Sequence, residues 1–378
     1  MLRALFILFL AFFSLVAQAQ IPPALAAKSW LLLEAGSGQI LAAEKVDERL
    51  EPASLTKLMT AYLTFSAIRQ RTLALEQMVP VSETAWRTGG SKMFIKVGDQ
   101  VQVENLIKGM IVQSGNDACI ALAEAISGTE TAFAQRMNQE AQRLGMSGTQ
   151  FRNATGLPDA EHFTTARDLS KLAAALIRDF PIEYGKYYSL KEFRYANITQ
   201  PNRNRLLFID PSADGVKTGH TDAAGYCLIA SAKRGPRRLL SVVLGTASDS
   251  ARASESQKLL NWGFQFYDAA QLYTAHQPAA ELRLWKGTSK LVKAGFNQDF
   301  VVALPKLVDN VAPASRIKVQ LVAQPRLIAP VSKGQVVGSI QLAIDGQAAG
   351  EFPVYALEDI PLAGWFGRLW DSIRLWVV

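Results

Sequence analysis

The sequence predicts a mixed α/β (α+β) domain, followed by a small all-β domain and a C-terminal amphipathic helix. Three observations support this fold class. Strand patterns stand at both ends of the region before residue 275, and helical periodicity fills the space between them. After residue 275, short β-rich runs alternate with Gly, Pro, Asn and Asp turns. The final segment, 364–378, carries three of the seven tryptophans and has an amphipathic helical period.

The composition is that of a folded protein with substantial cores. The chain has 378 residues, 49% of them hydrophobic and 19% charged, which predicts two or three domains and excludes a mainly disordered chain. The formal charge of +7 is spread along the chain without a dense block of Lys and Arg. We therefore expect no nucleic-acid partner, although a weak preference for an acidic polymer or an anionic membrane surface fits this charge.

Residues 1–19 are typical of a signal peptide. Arg3 supplies the positive start, residues 4–13 form an apolar run, and Ala17-Gln18-Ala19 matches a cleavage site with small residues. The apolar run is short for a segment that must cross about 30 Å of hydrocarbon, and an uncleaved anchor is the alternative interpretation. We expect an exported protein that acts outside the cytoplasm.

The first domain is predicted to span 20–275. Its strands are expected at 28–43, interrupted by a turn at 35–38, and at 191–198, 226–233 and 238–245. Its helices are expected at 54–68, 104–111, 116–127, 130–144, 166–180 and 251–266. A helical block between two groups of strands is the basis for the mixed architecture.

The second domain is predicted to be a small β-sandwich over 276–359. Its strands are expected at 282–285, 300–304, 317–322, 336–343 and 352–355. Its sequence shows no cluster of acid, base or nucleophile side chains. We interpret this domain as a spacer between the first domain and the C-terminal helix. Binding of a partner along an edge strand is the alternative.

The C-terminal segment 360–378 predicts a helix that lies on a membrane surface. At 100° per residue, the apolar side chains share one face: Trp365, Phe366, Leu369, Trp370, Ile373, Trp376 and Val377. Arg368, Asp371, Ser372 and Arg374 fall on the opposite face. Tryptophans on one side and arginines on the other are typical of an interfacial helix, and the segment is too short and polar to span. Packing on the domain core is the alternative.

The first candidate for chemistry is the Ser-Leu-Thr-Lys run at 54–57, which opens an apolar helix. A helix N-terminus supplies unpaired N–H groups and a positive dipole end, which stabilise an oxyanion. Lys57 lies one turn after Ser54, on the same face. If burial lowers the pKa of Lys57, its amine can take the hydroxyl proton of Ser54. By itself the pattern also fits a simple N-cap with a solvated lysine.

Two later triplets add further candidates. The Ser-Gly-Asn triplet at 114–116 lies between two predicted helices, where Ser114 could relay a proton to a leaving amine and Asn116 could hold a substrate amide. The Lys-Thr-Gly triplet at 217–219 precedes the strand predicted from 226. Its lysine supplies a positive charge, and its glycine allows a substrate backbone to approach a strand edge. Each triplet alone also fits an ordinary loop or β-turn.

Together the three motifs, in this order and spaced by about sixty and a hundred residues, resemble those of the low-molecular-mass penicillin-binding proteins, which are serine-type D-alanyl-D-alanine carboxypeptidases. Longer stretches also match: Glu51–Lys57, Ser114–Cys119, Lys217–Asp222 and Ser256–Gly263. The resemblance covers nearly the whole chain, from signal peptide to terminal helix. It implies that the first domain has the penicillin-binding and β-lactamase-like transpeptidase fold.

The resemblance implies a role for each motif residue. Ser54 would attack the carbonyl of the penultimate D-Ala, with Lys57 as general base and Ser114 as proton relay to the leaving D-Ala. The substrate contacts that it implies are Asn116, Lys217, Thr218, Gly219, Arg252 and, as a further arginine of the cleft, Arg203. The backbone N–H groups of Ser54 and His220 would form the oxyanion hole. The cations and the threonine hydroxyl suit a free terminal carboxylate, which only an exopeptidase needs to bind.

The implied substrate is a peptidoglycan pentapeptide, and β-lactam antibiotics such as penicillin would acylate the same serine. No metal or cofactor is expected. The signal peptide and the terminal helix together predict a periplasmic protein that is held peripherally on the outer face of the inner membrane. A homodimer on that surface is left open.

Metal and thiol chemistry are not expected from the few residues that could support them. The three histidines, His162, His220 and His276, are far apart in sequence, and two cysteines cannot complete a four-ligand zinc site. Cys119 and Cys227 are interpreted as buried free thiols. A disulfide between them is the alternative, since the environment of an exported protein permits one.

Three other functions remain as alternatives. A β-lactamase shares the three motifs, but the sequence lacks the Glu-x-x-Leu-Asn stretch of the class A enzymes, which also have no β domain or terminal helix. An endopeptidase of the same superfamily would cut crosslinks. A non-catalytic protein that binds peptidoglycan or organises the membrane would keep the fold, and acylation of Ser54 would exclude it.

Overall fold

The computed structural model describes residues 21–306 and 313–377. It confirms the predicted fold class, with a mixed α/β domain, a β-rich second domain and a C-terminal helix. The predicted signal peptide, residues 1–19, lies outside the described residues. Within the described ranges, no helix has both the length and the apolar character that crossing a membrane requires.

Most helices of the first domain lie in one block between its early and late strands. The helices are α1 (Lys57–Arg69), α2 (Glu83–Arg87), α3 (Val103–Lys108), α4 (Asn116–Ser127), α5 (Glu130–Arg143), α6 (Ala166–Asp179), α7 (Pro181–Tyr187), α8 (Leu206–Ile209) and α9 (Asp249–Phe266). The strands are β1 (Ser29–Glu34), β2 (Ile40–Glu44), β3 (Met78–Pro80), β4 (Gln100–Gln102), β5 (Glu192–Tyr195), β6 (Ile198–Pro201), β7 (Ala213–Thr221), β8 (Gly225–Arg234) and β9 (Arg237–Thr246). Five of them form the main antiparallel sheet, in the order β2-β1-β9-β8-β7.

Strand β1 shows how the main sheet separates two layers of helices. Leu31 and Leu33 pack into the core that the sheet forms with the helical block, whereas Trp30 and Leu32 pack into the core beneath α9. All four side chains are buried. Because successive side chains of a strand point to opposite faces, a strand that is covered on both sides must be continuously apolar.

Strand β7 forms one edge of the main sheet and contains the Lys-Thr-Gly triplet, 217–219. It pairs with β8 on one side, where Gly219 lies opposite Cys227. A side chain at Gly219 would come within 3.1 Å of the carbonyl oxygen of Pro52, so the glycine lets β7 lie close to the turn that precedes α1. The triplet is therefore part of a strand edge next to Ser54.

The second domain has two sheets around one apolar core. Its strands are β10 (Tyr267–Tyr273), β11 (Pro278–Arg283), β12 (Leu291–Gly295), β13 (Phe300–Pro305), β14 (Ile317–Ala323), β15 (Val336–Ile344) and β16 (Gln347–Ala356), and its helices are α10 (Pro313–Arg316) and α11 (Trp365–Val377). The sheets, β10-β13 and β11-β12-β16-β15-β14, bury contacting rings of Phe296, Phe300 and Phe352. Strand β10 follows α9 directly and pairs with β13, before the boundary predicted after residue 275. The domain limits remain a prediction.

Hydrogen bonds join the two domains around the turn between β1 and β2. Gln39 Nε2 donates to the carbonyl oxygen of Ala303 over 3.1 Å, and Gln39 Oε1 accepts from the Ala303 N–H over 2.9 Å. Gln298 Nε2 donates to the carbonyl oxygen of Gly36 over 2.9 Å. The turn that these bonds hold also encloses the carboxyl group of Glu34, which is only 1% exposed.

The helix predicted at 54–68 is confirmed, with a 3₁₀ turn over Ala53–Thr56 as its first turn and α1 directly after it. One local prediction for the first domain is wrong. The single strand predicted at 191–198 is the hairpin β5-β6, with Ala196 and Asn197 at positive φ in its turn. Strands β3 and β4 were not predicted, since three residues are too few for an alternation to be recognised.

Glu34 should make the stability of the protein depend on pH. Burial raises its pKa from 4.5 to about 7, and the hydrogen bonds from Ser37 offset this only in part. Folded Glu34 thus binds its proton more tightly than unfolded Glu34, so the free energy of unfolding falls as the pH rises from about 4.5 to about 7. This decrease is at most about 3 kcal/mol.

We expect Glu34→Gln to remove this decrease. Denaturant unfolding at pH 5 and pH 8 should show the variant gaining stability relative to the parent as the pH rises. Glu48→Gln is the matched control, because the same charge is removed from an exposed side chain. A stability difference between Glu34→Gln and the parent that is equal at both pH values would contradict the prediction.

Candidate active site

A cleft of about 360 Å³ opens between β7 and the helical block. It brings together residues from distant parts of the sequence: Ser54, Asn116, Thr155, Gly156, Arg203 and His220. Lys57, Ser114 and Lys217 lie next to these residues and are buried. The three motifs singled out in the sequence therefore meet at one place.

The turn before α1 places Ser54 at the cleft. Ala53 adopts a left-handed backbone, which costs a non-glycine residue about 1–3 kcal/mol and persists only where the surroundings enforce it. Gly156 lies directly against this turn, since a Cβ atom there would come within 1.8 Å of the Ala53 carbonyl oxygen. Helix α1 then begins at Lys57, so the two functional side chains are three residues apart around the turn.

Lys57 is the most enclosed of the functional groups, with 1% of its surface exposed. Its Nζ lies 3.0 Å from Ser54 Oγ, 2.7 Å from Asn116 Oδ1 and 2.6 Å from the carbonyl oxygen of Thr155. The amide orientation of Asn116 is fixed by its Nδ2, which donates to the carbonyl oxygen of Gly89 over 2.7 Å. The amine therefore faces two oxygens that can only accept and one hydroxyl that can also donate.

This arrangement suits a neutral amine. Burial lowers the pKa of Lys57, and the Asp117 carboxylate opposes the shift only in part. A neutral amine has two N–H groups, which the acceptors Asn116 Oδ1 and Thr155 O take up. Its lone pair is then left for the hydroxyl proton of Ser54. Lys57 can thus act as a base toward this one group.

Ser114 follows a π-helical turn, Gly109–Gln113, and has a left-handed backbone with φ 65°. Its Oγ accepts a hydrogen bond from Lys217 Nζ over 3.0 Å. Asn116 starts α4, and its backbone N–H donates to the carbonyl oxygen of Ser91 over 2.7 Å. The left-handed Ser114 thus lies between two helical segments, and the side chains of Ser114 and Asn116 contact Lys217 and Lys57 respectively.

Lys217 on β7 is a second buried amine. Its Nζ donates to Ser114 Oγ and to the carbonyl oxygen of Thr218, each over 3.0 Å. Burial lowers its pKa well below the ordinary value, and repulsion from the Arg252 guanidinium acts in the same direction. A bound anion would relieve this repulsion, so the site favours a negatively charged ligand group.

Two arginines complete the positive lining. Arg252 on α9 donates through Nη1 to the carbonyl oxygen of Gly219 over 3.0 Å and forms an ion pair with Asp249. Arg203 donates through Nε to the carbonyl oxygen of Gln113 over 3.2 Å. Both arginines thus contact backbone next to or within the motifs, and their role as substrate contacts remains a prediction.

The remaining predicted residues lie on or beside β7. Thr218 is 5% exposed, and its carbonyl oxygen is bonded to Lys217. His220 is exposed, and its ring packs on Tyr226 with 4.0 Å between the ring centroids. The imidazole of His220 thus makes an aromatic contact, and the role of its backbone N–H remains a prediction.

Sequence reasoning missed three contributors to the site. The carbonyl oxygen of Thr155 binds Lys57, the carbonyl oxygen of Gly89 orients Asn116, and Asp117 accepts the backbone N–H groups of Met93, Phe94 and Ile95. A backbone carbonyl leaves no signature of residue type. The pairs Gly89-Gly90 and Thr155-Gly156 were the only signal, since glycine marks places where the chain turns or approaches another segment closely.

Both cysteines are free and buried. Burial raises the pKa of Cys119 to about 12 and that of Cys227 to about 11, so both thiols stay protonated at neutral pH. Among the described residues, no three His, Cys, Asp or Glu side chains are grouped as a metal site would require.

Comparison with protein families covers both domains. A sequence model of the D-alanyl-D-alanine carboxypeptidase family matches residues 16–248, and a model of the penicillin-binding protein 5 C-terminal domain matches residues 267–362. The first match spans the Ser54, Ser114 and Lys217 motifs, and the second spans the β-rich region.

Individual relatives match along almost the whole chain. D-alanyl-D-alanine carboxypeptidase DacC of Escherichia coli is 42% identical over 360 residues, which are 93% of this chain and 89% of the relative. DacA of Haemophilus influenzae is 40% identical over 362 residues, 94% of this chain and 91% of the relative. The crystal structure of penicillin binding protein 5 from Haemophilus influenzae, 39% identical, has a TM-score of 0.75 and covers 90% of this chain and 99% of its own. The chain therefore belongs to the D-alanyl-D-alanine carboxypeptidase family of serine-type peptidases, which confirms the resemblance inferred from its motifs.

Proposed function

We propose that this protein removes the terminal D-Ala from peptidoglycan pentapeptides through an acyl-enzyme on Ser54. The observation that carries the proposal is the placement of Lys57 Nζ, 3.0 Å from Ser54 Oγ and bonded otherwise to two pure acceptors. This geometry supplies an activated serine without a histidine. The family supplies the substrate class.

In acylation, the cleft residues act one after another. Ser54 Oγ attacks the carbonyl carbon of the penultimate D-Ala while the neutral amine of Lys57 takes the hydroxyl proton. The backbone N–H groups of Ser54 and His220, which both line the cleft, stabilise the oxyanion. Ser114 then donates its hydroxyl proton to the nitrogen of the departing D-Ala. The proton held by Lys57 replaces it, so the amine is neutral again.

Deacylation repeats the same proton transfer with water as the nucleophile. Water attacks the ester carbonyl, Lys57 takes its proton, and that proton returns to Ser54 Oγ as the ester bond breaks. Penicillin would form the same ester, because its strained amide presents a carbonyl to Ser54 and its carboxylate occupies the site of the substrate carboxylate. The β-lactam would thus act as a covalent inhibitor.

The positive lining selects peptides with a free C-terminus. The terminal carboxylate of the substrate would be bound by Lys217, Arg252 and the hydroxyl of Thr218 through charge-assisted hydrogen bonds. Such a carboxylate also relieves the repulsion that lowers the pKa of Lys217. Cleavage within a chain, as in an endopeptidase, provides no carboxylate there.

Ser54→Ala should abolish the release of D-Ala. We expect purified parent protein to release free D-Ala from a pentapeptide that ends in D-Ala-D-Ala, and the variant to be slower by at least about 10³-fold, because no acyl-enzyme forms. Ser66→Ala, on the same α1 helix, is the matched control. Release at the parent rate by Ser54→Ala would contradict the proposal. A folded parent that releases no D-Ala would also contradict the proposal and would favour crosslink cleavage as the activity.

Arg252→Gln should weaken recognition of the carboxylate. The parent should have a higher kcat/KM for a peptide ending in D-Ala-D-Ala than for its C-terminal amide. In the variant the ratio of these two kcat/KM values should fall by about 10–100-fold, because one charge-assisted hydrogen bond to the carboxylate is lost. Arg87→Gln, an exposed arginine on α2, is the control. An equal ratio of kcat/KM values in the parent and in Arg252→Gln would show that the arginine does not bind the carboxylate.

We also propose that α11 binds a membrane surface and holds the protein peripherally on the outer face of the inner membrane. The apolar side chains of Trp365, Phe366 and Trp370 are 60%, 71% and 59% exposed. On the opposite face, Asp371 Oδ2 accepts the backbone N–H of Lys286 over 2.6 Å. The polar face thus contacts the second domain, and an apolar surface is left free for lipid. The predicted contributions of Trp376 and Val377 concern side chains outside the described part.

Replacing Trp365 and Trp370 together by Ser should release the protein from membranes. We expect the parent to bind vesicles of phosphatidylethanolamine and phosphatidylglycerol, and the double variant to bind at least about tenfold more weakly, since two buried aromatic side chains are lost. Trp86→Ser on α2 removes another exposed tryptophan as the control. Vesicle flotation measures the bound fraction, and equal binding by the double variant would contradict the proposal.

A further inference from the structure

We propose that His162 is a positioning residue for acyl transfer, because its imidazole connects the turn that carries Ser54 to the loop whose carbonyl oxygen holds Lys57. The inference rests on the function proposed above and deepens it. None of the three sequence motifs includes His162, and it makes no contact with the reacting atoms. Its effect on the chemistry would pass through Thr56, which lies between Ser54 and Lys57 in the chain.

The imidazole bridges two segments that both contribute to the site. His162 is 3% exposed, and its Nε2 lies 3.0 Å from Thr56 Oγ1. Its Nδ1 accepts the backbone N–H of Arg152 over 3.4 Å. Thr56 belongs to the nucleophile turn, and Arg152 opens the loop that runs to Thr155 and Gly156. One side chain is thus bonded to both segments.

The two hydrogen bonds define the tautomer of the ring. The backbone N–H of Arg152 can only donate, so Nδ1 must be the unprotonated nitrogen. The proton is then on Nε2, which donates to Thr56 Oγ1. Burial lowers the pKa of His162 to about 4, and the neighbouring charges of Asp159 and Arg152 are weaker influences. The ring is therefore neutral under the conditions in which the enzyme works, and it serves as one donor and one acceptor.

The nucleophile turn needs such support from outside its own sequence. Ala53 is held at φ 46°, a conformation that persists only where neighbouring groups enforce it. Three contacts with the loop do so: Gly156 packs against Ala53, Lys57 binds the Thr155 carbonyl oxygen, and Thr60 Oγ1 donates to the Ala154 carbonyl oxygen over 2.7 Å. His162 adds a fourth link, through Thr56 Oγ1.

The position of the imidazole is itself fixed. The ring meets Phe151 edge-on, with 5.7 Å between the centroids. The next residue, Phe163, forms a β-bridge with Gln150, and Thr164 forms one with Leu50. The chain around His162 is therefore attached both to the loop and to the segment that leads into the nucleophile turn. A rigid ring on a rigid backbone can transmit position to Thr56.

Loss of this link should act on the rate of chemistry more than on binding. The cations that hold the carboxylate, Lys217 and Arg252, are on β7 and α9 and do not contact His162. The distance between Ser54 Oγ and Lys57 Nζ, in contrast, depends on the turn and the loop staying together. A displacement of about 1 Å at such a pair can reduce a rate about 100-fold.

The test measures the rate of Ser54 acylation by a fluorescent penicillin in stopped flow, together with kcat and KM for D-Ala release, using the full chain. His162→Ala should acylate on the order of 10–100-fold more slowly, with KM changed by less than about threefold. His162→Gln should restore acylation to within about threefold of the parent, since a carboxamide also offers one donor and one acceptor. Thr56→Val should be as slow as His162→Ala, and it replaces that variant if His162→Ala fails to fold.

A buried variant remote from the cleft separates positioning from general stability. Met137→Ala on α5 removes a fully buried side chain and should keep the parent acylation rate below its unfolding transition. The inference is overturned if His162→Ala or Thr56→Val acylates at the parent rate, if His162→Gln is as slow as His162→Ala, or if Met137→Ala is equally slow. A folded parent that is neither acylated nor active would overturn the proposed function and this inference with it. An active parent with an equally active His162→Ala overturns the inference alone.

Discussion

The site depends on keeping one amine, that of Lys57, away from water and away from any carboxylate partner. Its three neighbours are a hydroxyl, an amide oxygen and a backbone carbonyl, all of them neutral. A direct ion pair would hold the ammonium form and remove the base. Neutral acceptors stabilise the amine without fixing its charge, so burial decides the direction of the pKa shift. The neighbours of this amine come from the turn before α1, from α4 and from the loop before Gly156.

The same enclosure supports the proposed preference for a ligand that ends in a carboxylate. Lys217, Arg203 and Arg252 repel one another electrostatically, and the pKa of Lys217 is lowered by burial and by the two arginines. Such a site is unfavourable when empty and improves when a carboxylate enters. The carboxylate is remote from the bond that breaks. Binding energy from this remote group can therefore hold the scissile carbonyl against Ser54, where it serves catalysis.

The catalytic side chains could be predicted from the sequence because they lie close together in the chain or belong to recognisable short motifs. Ser54 and Lys57 are one turn apart, and the Ser114 and Lys217 triplets are recognisable side-chain patterns. The contacts between distant segments of the chain could not be predicted. Strand β7 has little apolar alternation, so its identity as a sheet edge follows only from pairing with β8. The Thr155 carbonyl oxygen is brought to Lys57 across 98 residues of chain, and no pattern of residue types encodes that approach.

The strained backbone positions near the catalytic residues are held in place by segments that are distant in the sequence. The catalytic geometry therefore depends on the fold. Ala53 and Ser114 are both non-glycine residues with left-handed backbones, and each lies next to or within a catalytic motif. Neither local sequence would adopt this conformation alone. The turn at Ala53 is enforced by Gly156 and its loop, and the turn at Ser114 leads into α4, whose Asn116 and Asp117 bind the loop over residues 89–95. Catalytic geometry is therefore a property of contacts between segments, and a change within those contacts can impair the chemistry while the two cores remain intact.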